Sequence, residues 1–216
     1  MLSPLQEQIL TIIGRALEGS DFALAGGAAI ISQGLVDRRT RDLDFFGSSS
    51  LQLAEKLPII IEALIGLGLE VRIDRQTERF ARLEVKGFGE ETEVDFGIDF
   101  RLFPPHDGAN FSVLSIKELA VDKVLAIFGR AEPRDFIDLA ALSQIFEIKD
   151  LFGEAVRKDQ GFDLKIFAEM TNRLDILPRR EFPISDAEFD ELKLTVESWR
   201  EIAKEKIRNR DRGIER

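Results

Sequence analysis

Residues 22–46, FALAGGAAIISQGLVDRRTRDLDFF, constrain this chain more than any other stretch. Phe22 to Ala25 reads as a short strand, Gly26-Gly27 opens a small-residue helix through Ile31 that ends near Gly34, and Asp42 to Phe46 is the next strand, bounded by Gly47 and three serines. Side chains on a strand alternate between faces, so Asp42 and Asp44 leave one face while Leu43 and Phe45 bury on the other. Two adjacent carboxylates repel unless a cation sits between them, which is why metal sites use this spacing; an exposed strand face with solvated charges gives the same pattern. Gly26-Gly27 adds a second condition. Glycine lets a phosphate approach the backbone where a helix aims unpaired N–H groups, although a tight strand-to-helix turn also takes glycine. Together the two features supply the phosphate-facing backbone and metal-binding carboxylates that a site handling phosphorylated nucleotides needs.

The flanking sequence sets the architecture. Apolar residues at helical spacing after Ser3-Pro4 predict an opening helix closed by Gly19, and Ser50 reads as the cap of a helix through about Leu67. Leu69 to Ile73, Glu78 to Lys86 and Glu93 to Leu102 read as strands, the last with Val94, Phe96, Ile98 and Phe100 in alternation. From Ser115 the pattern is helical: Ser115 to Arg130, Pro133 to Phe146, Ile148 to Lys158, Asp163 to Leu174 and Ser185 to about Arg208. The expected fold is α+β, a mixed-sheet domain with helices over residues 1–108 followed by a helical domain over 109–216, with the Pro104-Pro105-His106-Asp107-Gly108 loop at the boundary. No stretch has the shape of a signal peptide or reaches the roughly 18 apolar residues of a membrane span, so a cytoplasmic protein without a membrane partner is expected. The absence of cysteine leaves oxygen ligands or the single His106 for any metal, which favours magnesium or manganese over zinc. A net charge of −10 argues against a surface that coats nucleic acid in general.

Further candidates lie outside the opening segment. Asp95 and Asp99 share a strand face, with Gly97 leaving open space between them, and Asp95 becomes a third carboxylate on the same metals if its strand neighbours Asp42 and Asp44. Lys123 projects from the middle of an apolar stripe formed by Ile116, Leu119, Ala120 and Ile127, so its ammonium either snorkels outward or meets an anion such as a nucleotide phosphate. Asp135 and Asp138 open the next helix behind Pro133; they complement the helix dipole, or Asp138, on the face of Leu142 and Ile145, anchors Lys123 or a ligand hydroxyl. Arg38, Arg39 and Arg41 stand just before Asp42, where they meet a triphosphate or an RNA backbone or else form a solvated loop. His106 reads as a loop histidine, and the charged tail from Lys204 to Arg216 as a solvated helix end.

AGGAAI followed by RRTRDLDFF, then KELAVDKVLAIFGRAEPRDFIDLAAL, resembles the nucleotidyltransferase family of AbiEii/AbiGii-type toxins within the polymerase-beta-like nucleotidyltransferase superfamily. The likeness covers roughly residues 20 to 146. It implies that Asp42 and Asp44, with Asp95, bind Mg2+, that Gly26 and Gly27 lie against the phosphates of an NTP, and that Lys123 is the motif lysine, with Asp135 and Asp138 in the downstream acidic motif. Gly27 stands where many members of the superfamily have serine. The implied chemistry is transfer of a nucleoside monophosphate to an acceptor hydroxyl with release of pyrophosphate, Lys123 with Arg39 or Arg41 stabilising the triphosphate charge. In relatives the acceptor can be the 3′ end of tRNA, and such toxins are paired with a DNA-binding antitoxin. A small hydroxylated acceptor, or nucleotide binding without turnover, are the competing expectations.

Overall fold

The computed structural model describes residues 1–108 and 110–213. Ser3 starts the first helix by a reciprocal cap, its hydroxyl accepting from Gln6 N at 3.3 Å and its N–H donating to Gln6 Oε1 at 3.0 Å, with Pro4 at the first helical position. This helix, α1 (Pro4–Ala16), buries Leu5, Ile9, Leu10 and Ile13. The chain then forms β1 (Ala23–Ala25), α2 (Gly26–Ser32) and β2 (Asp42–Gly47). α3 (Ser50–Gly66) is capped by Ser49 rather than Ser50, since the Ser49 hydroxyl accepts from Gln52 N. Then come β3 (Glu70–Gln76), β4 (Phe80–Gly87) and β5 (Glu90–Ile98), and two short strands, β6 (His106–Asp107) and β7 (Ser112–Val113).

These strands form one mixed sheet in the order β3-β4-β5-β2-β1-β7-β6. β2 lies antiparallel to β1 and parallel to β5, so the Asp-x-Asp strand is central and its register is fixed on both sides. Phe45 stacks on Phe96 with ring centroids 5.4 Å apart, and Phe22 meets Phe96 edge-on at 6.3 Å, filling the core on the face opposite the aspartates. β5 ends at Ile98, two residues before the expected alternation runs out, and Phe100 is exposed. The space over Gly97 is not open: a Cβ there would come within 2.7 Å of the Phe46 ring.

The chain divides between Ser115 and Ile116 rather than after residue 108, because β6 pairs with β7 and β7 pairs with β1, which returns the 104–108 loop to the sheet. The second unit is helical: α4 (Ile116–Gly129), α5 (Pro133–Leu142), α6 (Ile148–Lys158), α7 (Leu164–Met170), α8 (Arg173–Ile176) and α9 (Asp186–Asp211). Phe152 and Phe167 meet at 4.9 Å, and Val196, Trp199 and Ala203 of α9 are buried. The stretch 163–174 is two helices rather than one. Arg200 of α9 donates to the Thr171 carbonyl at 2.8 Å and to the Thr171 hydroxyl at 3.1 Å, and the same carbonyl accepts from Leu174 N at 3.2 Å in a tightened turn between the two helices. α5 likewise ends at Leu142, leaving Ile145 exposed. The expected tail helix runs to Asp211, and residues 214–216 lie outside those described. No helix among the described residues is long and apolar enough to cross a membrane.

Candidate active site

Alternation along β2 places Leu43 and Phe45 wholly inside and leaves Asp42 and Asp44 half-buried on the other face. Gly26 meets Asp44 directly. The β1–β2 register sets Ala25 opposite Asp44, and the next residue, Gly26, has φ +59; an added Cβ would overlap the Asp44 carboxylate. Both the left-handed backbone and the close approach require glycine here. At Gly27 an added Cβ would overlap the Arg38 guanidinium, which is buried to 6% exposure and donates to Arg39 O at 2.9 Å. Arg39 and Arg41 are exposed. The two glycines thus admit one anionic and one cationic side chain against consecutive residues of the chain.

The β2–β5 register pairs Asp44 with Asp95 and Asp42 with Glu93. Asp95 therefore stands beside Asp44, while Asp99 lies beyond the strand and is exposed. Both Asp95 oxygens receive Arg82 of β4, Nε at 2.7 Å and NH2 at 2.6 Å, a partner that sequence patterning does not single out. Arg82 is held above the usual arginine value, chiefly by its hydrogen bond to Asp95. Asp42 accepts from Thr40 Oγ1 at 2.8 Å. The loop before β2 is fixed by buried Gln6, whose Nε2 donates to Thr40 O and Thr92 Oγ1, each at 3.2 Å, while Thr92 Oγ1 donates to Arg41 O at 2.9 Å. Among the described residues no group of three or more His, Asp or Glu gathers as an all-protein metal cage. A hollow of about 350 Å³ lined by Phe22, Phe45 and Phe111 opens from the core face of β2, away from Asp42 and Asp44.

In the second unit, Lys123 of α4 is buried between two aspartates of α5, with Nζ 3.1 Å from Asp135 Oδ1 and 2.9 Å from Asp138 Oδ2. It does not snorkel. Asp135 also receives Arg130 Nε at 2.9 Å, Arg130 NH2 at 3.1 Å and Glu132 N at 3.2 Å. Burial works against the Lys123 ammonium, but the Asp138 and Asp135 carboxylates outweigh it and hold the group above the usual lysine value. Burial also opposes the ionised Asp135, and the hydrogen bond from Arg130 with the charge of Lys123 overcomes it, bringing Asp135 down to about 2. Because the folded value is depressed, this contribution is complete above the unfolded aspartate value near 4 and is lost as pH falls from there through about 2. It amounts to about 2 kcal/mol. Melting curves from pH 5 down to 2 should show a stability loss that Asp135→Asn flattens; parallel curves for the two proteins would contradict this assignment.

A mixed sheet followed by a helical unit is the fold this chain shares with solved nucleotidyltransferases, and its sequence places it among them. The sequence profile of the nucleotidyl transferase AbiEii toxin of type IV toxin–antitoxin systems matches residues 8–212, and the chain belongs to that family. Solved structures share its fold at low identity. JHP933 from Helicobacter pylori is 20% identical with a TM-score of 0.61, the match covering 99% of this chain and 98% of that one. The nucleotidyltransferase toxin MenT4 from Mycobacterium tuberculosis is 17% identical with a TM-score of 0.59, over 93% and 82% of the two chains. The antibiotic-resistance factor ANT(2'')-Ia is 13% identical with a TM-score of 0.52, over 71% and 90%. No curated protein matches the chain.

Proposed function

We propose that this protein transfers a nucleoside monophosphate from an NTP to an acceptor hydroxyl, as the toxin of a toxin–antitoxin pair. The observation that carries the reading is the juxtaposition at the start of α2: Asp42 and Asp44 on one face of β2, with Asp44 against the bare Cα of Gly26. The donor set suits a hard divalent ion. Magnesium is commonly held by one or two carboxylates plus substrate phosphates rather than by an all-protein cage, and Asp42 and Asp44 form such a pair. Bound there, magnesium would offset charge on the triphosphate. Gly26 and Gly27, which seat Asp44 and Arg38 against the start of α2, are the proposed phosphate-side turn by family resemblance, and exposed Arg39 and Arg41 are available to the triphosphate or to an RNA acceptor. Lys123, Asp135 and Asp138 of the helical unit form a further cluster that the family resemblance assigns to function. The reaction forms a bond from the acceptor oxygen to the α-phosphorus and breaks the bond to the departing pyrophosphate.

The tRNA 3′ end is the proposed acceptor and the cytoplasm the proposed location; the proposed partner is an antitoxin, which the family's place in type IV toxin–antitoxin systems supports. A small hydroxylated acceptor is the second reading, favoured by the net charge of −10, which opposes approach of a polyanion. Each of the four NTPs, labelled and supplied with magnesium, should be offered with a total tRNA pool and separately with small polyols and aminoglycosides. One NTP is expected to label tRNA. Labelling of small acceptors alone would replace the first reading by the second, and incorporation into neither would sink both.

A further inference from the structure

The carboxylate face of the sheet carries a cation of its own. Across three neighbouring strands the registers align Arg82 of β4, Asp95 of β5 and Asp44 of β2. Arg82 also places NH1 3.1 Å from Glu93 Oε2, and Glu93 is in register with Asp42. One guanidinium therefore sits at the edge of a face bearing Asp42, Asp44, Glu93 and Asp95. Its fork is matched to Asp95, whose side chain is only 10% exposed, through two charge-assisted hydrogen bonds. A divalent ion coordinating Asp95 would have to share those oxygens with a guanidinium or expel it. The first sets two cations side by side, and the second breaks a bidentate pair on a largely buried carboxylate.

We propose that Arg82 is a positioning residue that keeps Asp95 out of the metal's coordination shell, so that Asp42 and Asp44 alone hold the ion until nucleotide phosphates complete it. This presupposes Asp42 and Asp44 as the metal-holding pair. Its consequence is a site whose ion is held weakly before the NTP binds. Without Arg82, a third carboxylate beside Asp44 would capture a divalent ion in the absence of substrate.

The test is titration of the full chain with Mn2+ alone, without nucleotide, in about 1 M salt, where charges more than about 3 Å apart in solvent are largely screened. Melting temperatures of the metal-free variants verify folding. Arg82→Gln should bind Mn2+ roughly tenfold more tightly than wild type, and Arg82→Gln/Asp95→Asn should return to the wild-type affinity. Arg82→Lys, which keeps the charge but loses the fork, should gain about threefold and serves if the glutamine variant does not fold. Unchanged or weaker binding in a folded Arg82 variant overturns the role of Arg82. A double variant roughly tenfold weaker than wild type also overturns it, by making Asp95 a ligand in the native protein. Wild-type protein that binds no Mn2+, or binds it equally well as Asp44→Asn, removes the metal-holding pair itself and the proposal with it.

Discussion

Asp44→Asn should lower nucleotide incorporation by roughly a thousandfold while leaving the protein folded. Asp44 stands two residues from Asp42 on its own strand and in register with Asp95 on the next. The substitution keeps the shape of the side chain and takes away an oxygen donor from the proposed ion, so the loss falls on the chemistry and not on the fold. Gly26→Ala gives the contrasting result. Its Cβ would strike the Asp44 carboxylate and sit on a residue with φ +59, at a conformational cost of about 1–2 kcal/mol, so it should lose both incorporation and melting temperature. The measurement is incorporation rate beside thermal unfolding for both variants. An Asp44→Asn protein keeping more than about a tenth of the wild-type rate would remove this carboxylate from the chemistry.

These contacts were legible in the sequence to different degrees, for physical reasons. Asp42 and Asp44 could be placed on one face because the period of a strand is local, and Leu43 and Phe45 declare the buried side. The helix start at Pro133 was similarly plain. Arg82 was not, since its partner is fixed by the β4–β5 register, a relation between strands joined by a turn that composition does not specify. Arg38 was indistinguishable from Arg39 and Arg41 in a basic run, and only packing against Gly27 separates the buried guanidinium from two exposed ones. β6 and β7 have two residues each, too few to show a period, which is why the end of the sheet read as a linker. The break between α7 and α8 carries no Gly or Pro at Thr171-Asn172, and the Arg200 contacts that meet it come from far along the chain.

Lys123→Met should destabilise the helical unit by about 3–5 kcal/mol, the usual cost of removing one member of a buried ion pair. For a unit of this size that corresponds to a melting shift on the order of 15–25 °C. The cost arises from what remains. Asp135 and Asp138 are fully buried, and both lose the ammonium that stands 3.1 and 2.9 Å away, while Asp135 retains Arg130 and the Glu132 N–H. Lys123→Met/Asp138→Asn should therefore recover part of the loss, because it removes one of the two charges the lysine neutralises and leaves the Arg130–Asp135 pair in place. This double variant separates the two roles of the lysine. If Lys123 acts only on the fold, the double variant incorporates at the rate of Asp138→Asn alone; if it also serves the reaction, the stable double variant falls roughly a hundredfold or more below Asp138→Asn. A single variant that melts within about 2 °C of wild type would contradict the buried network itself.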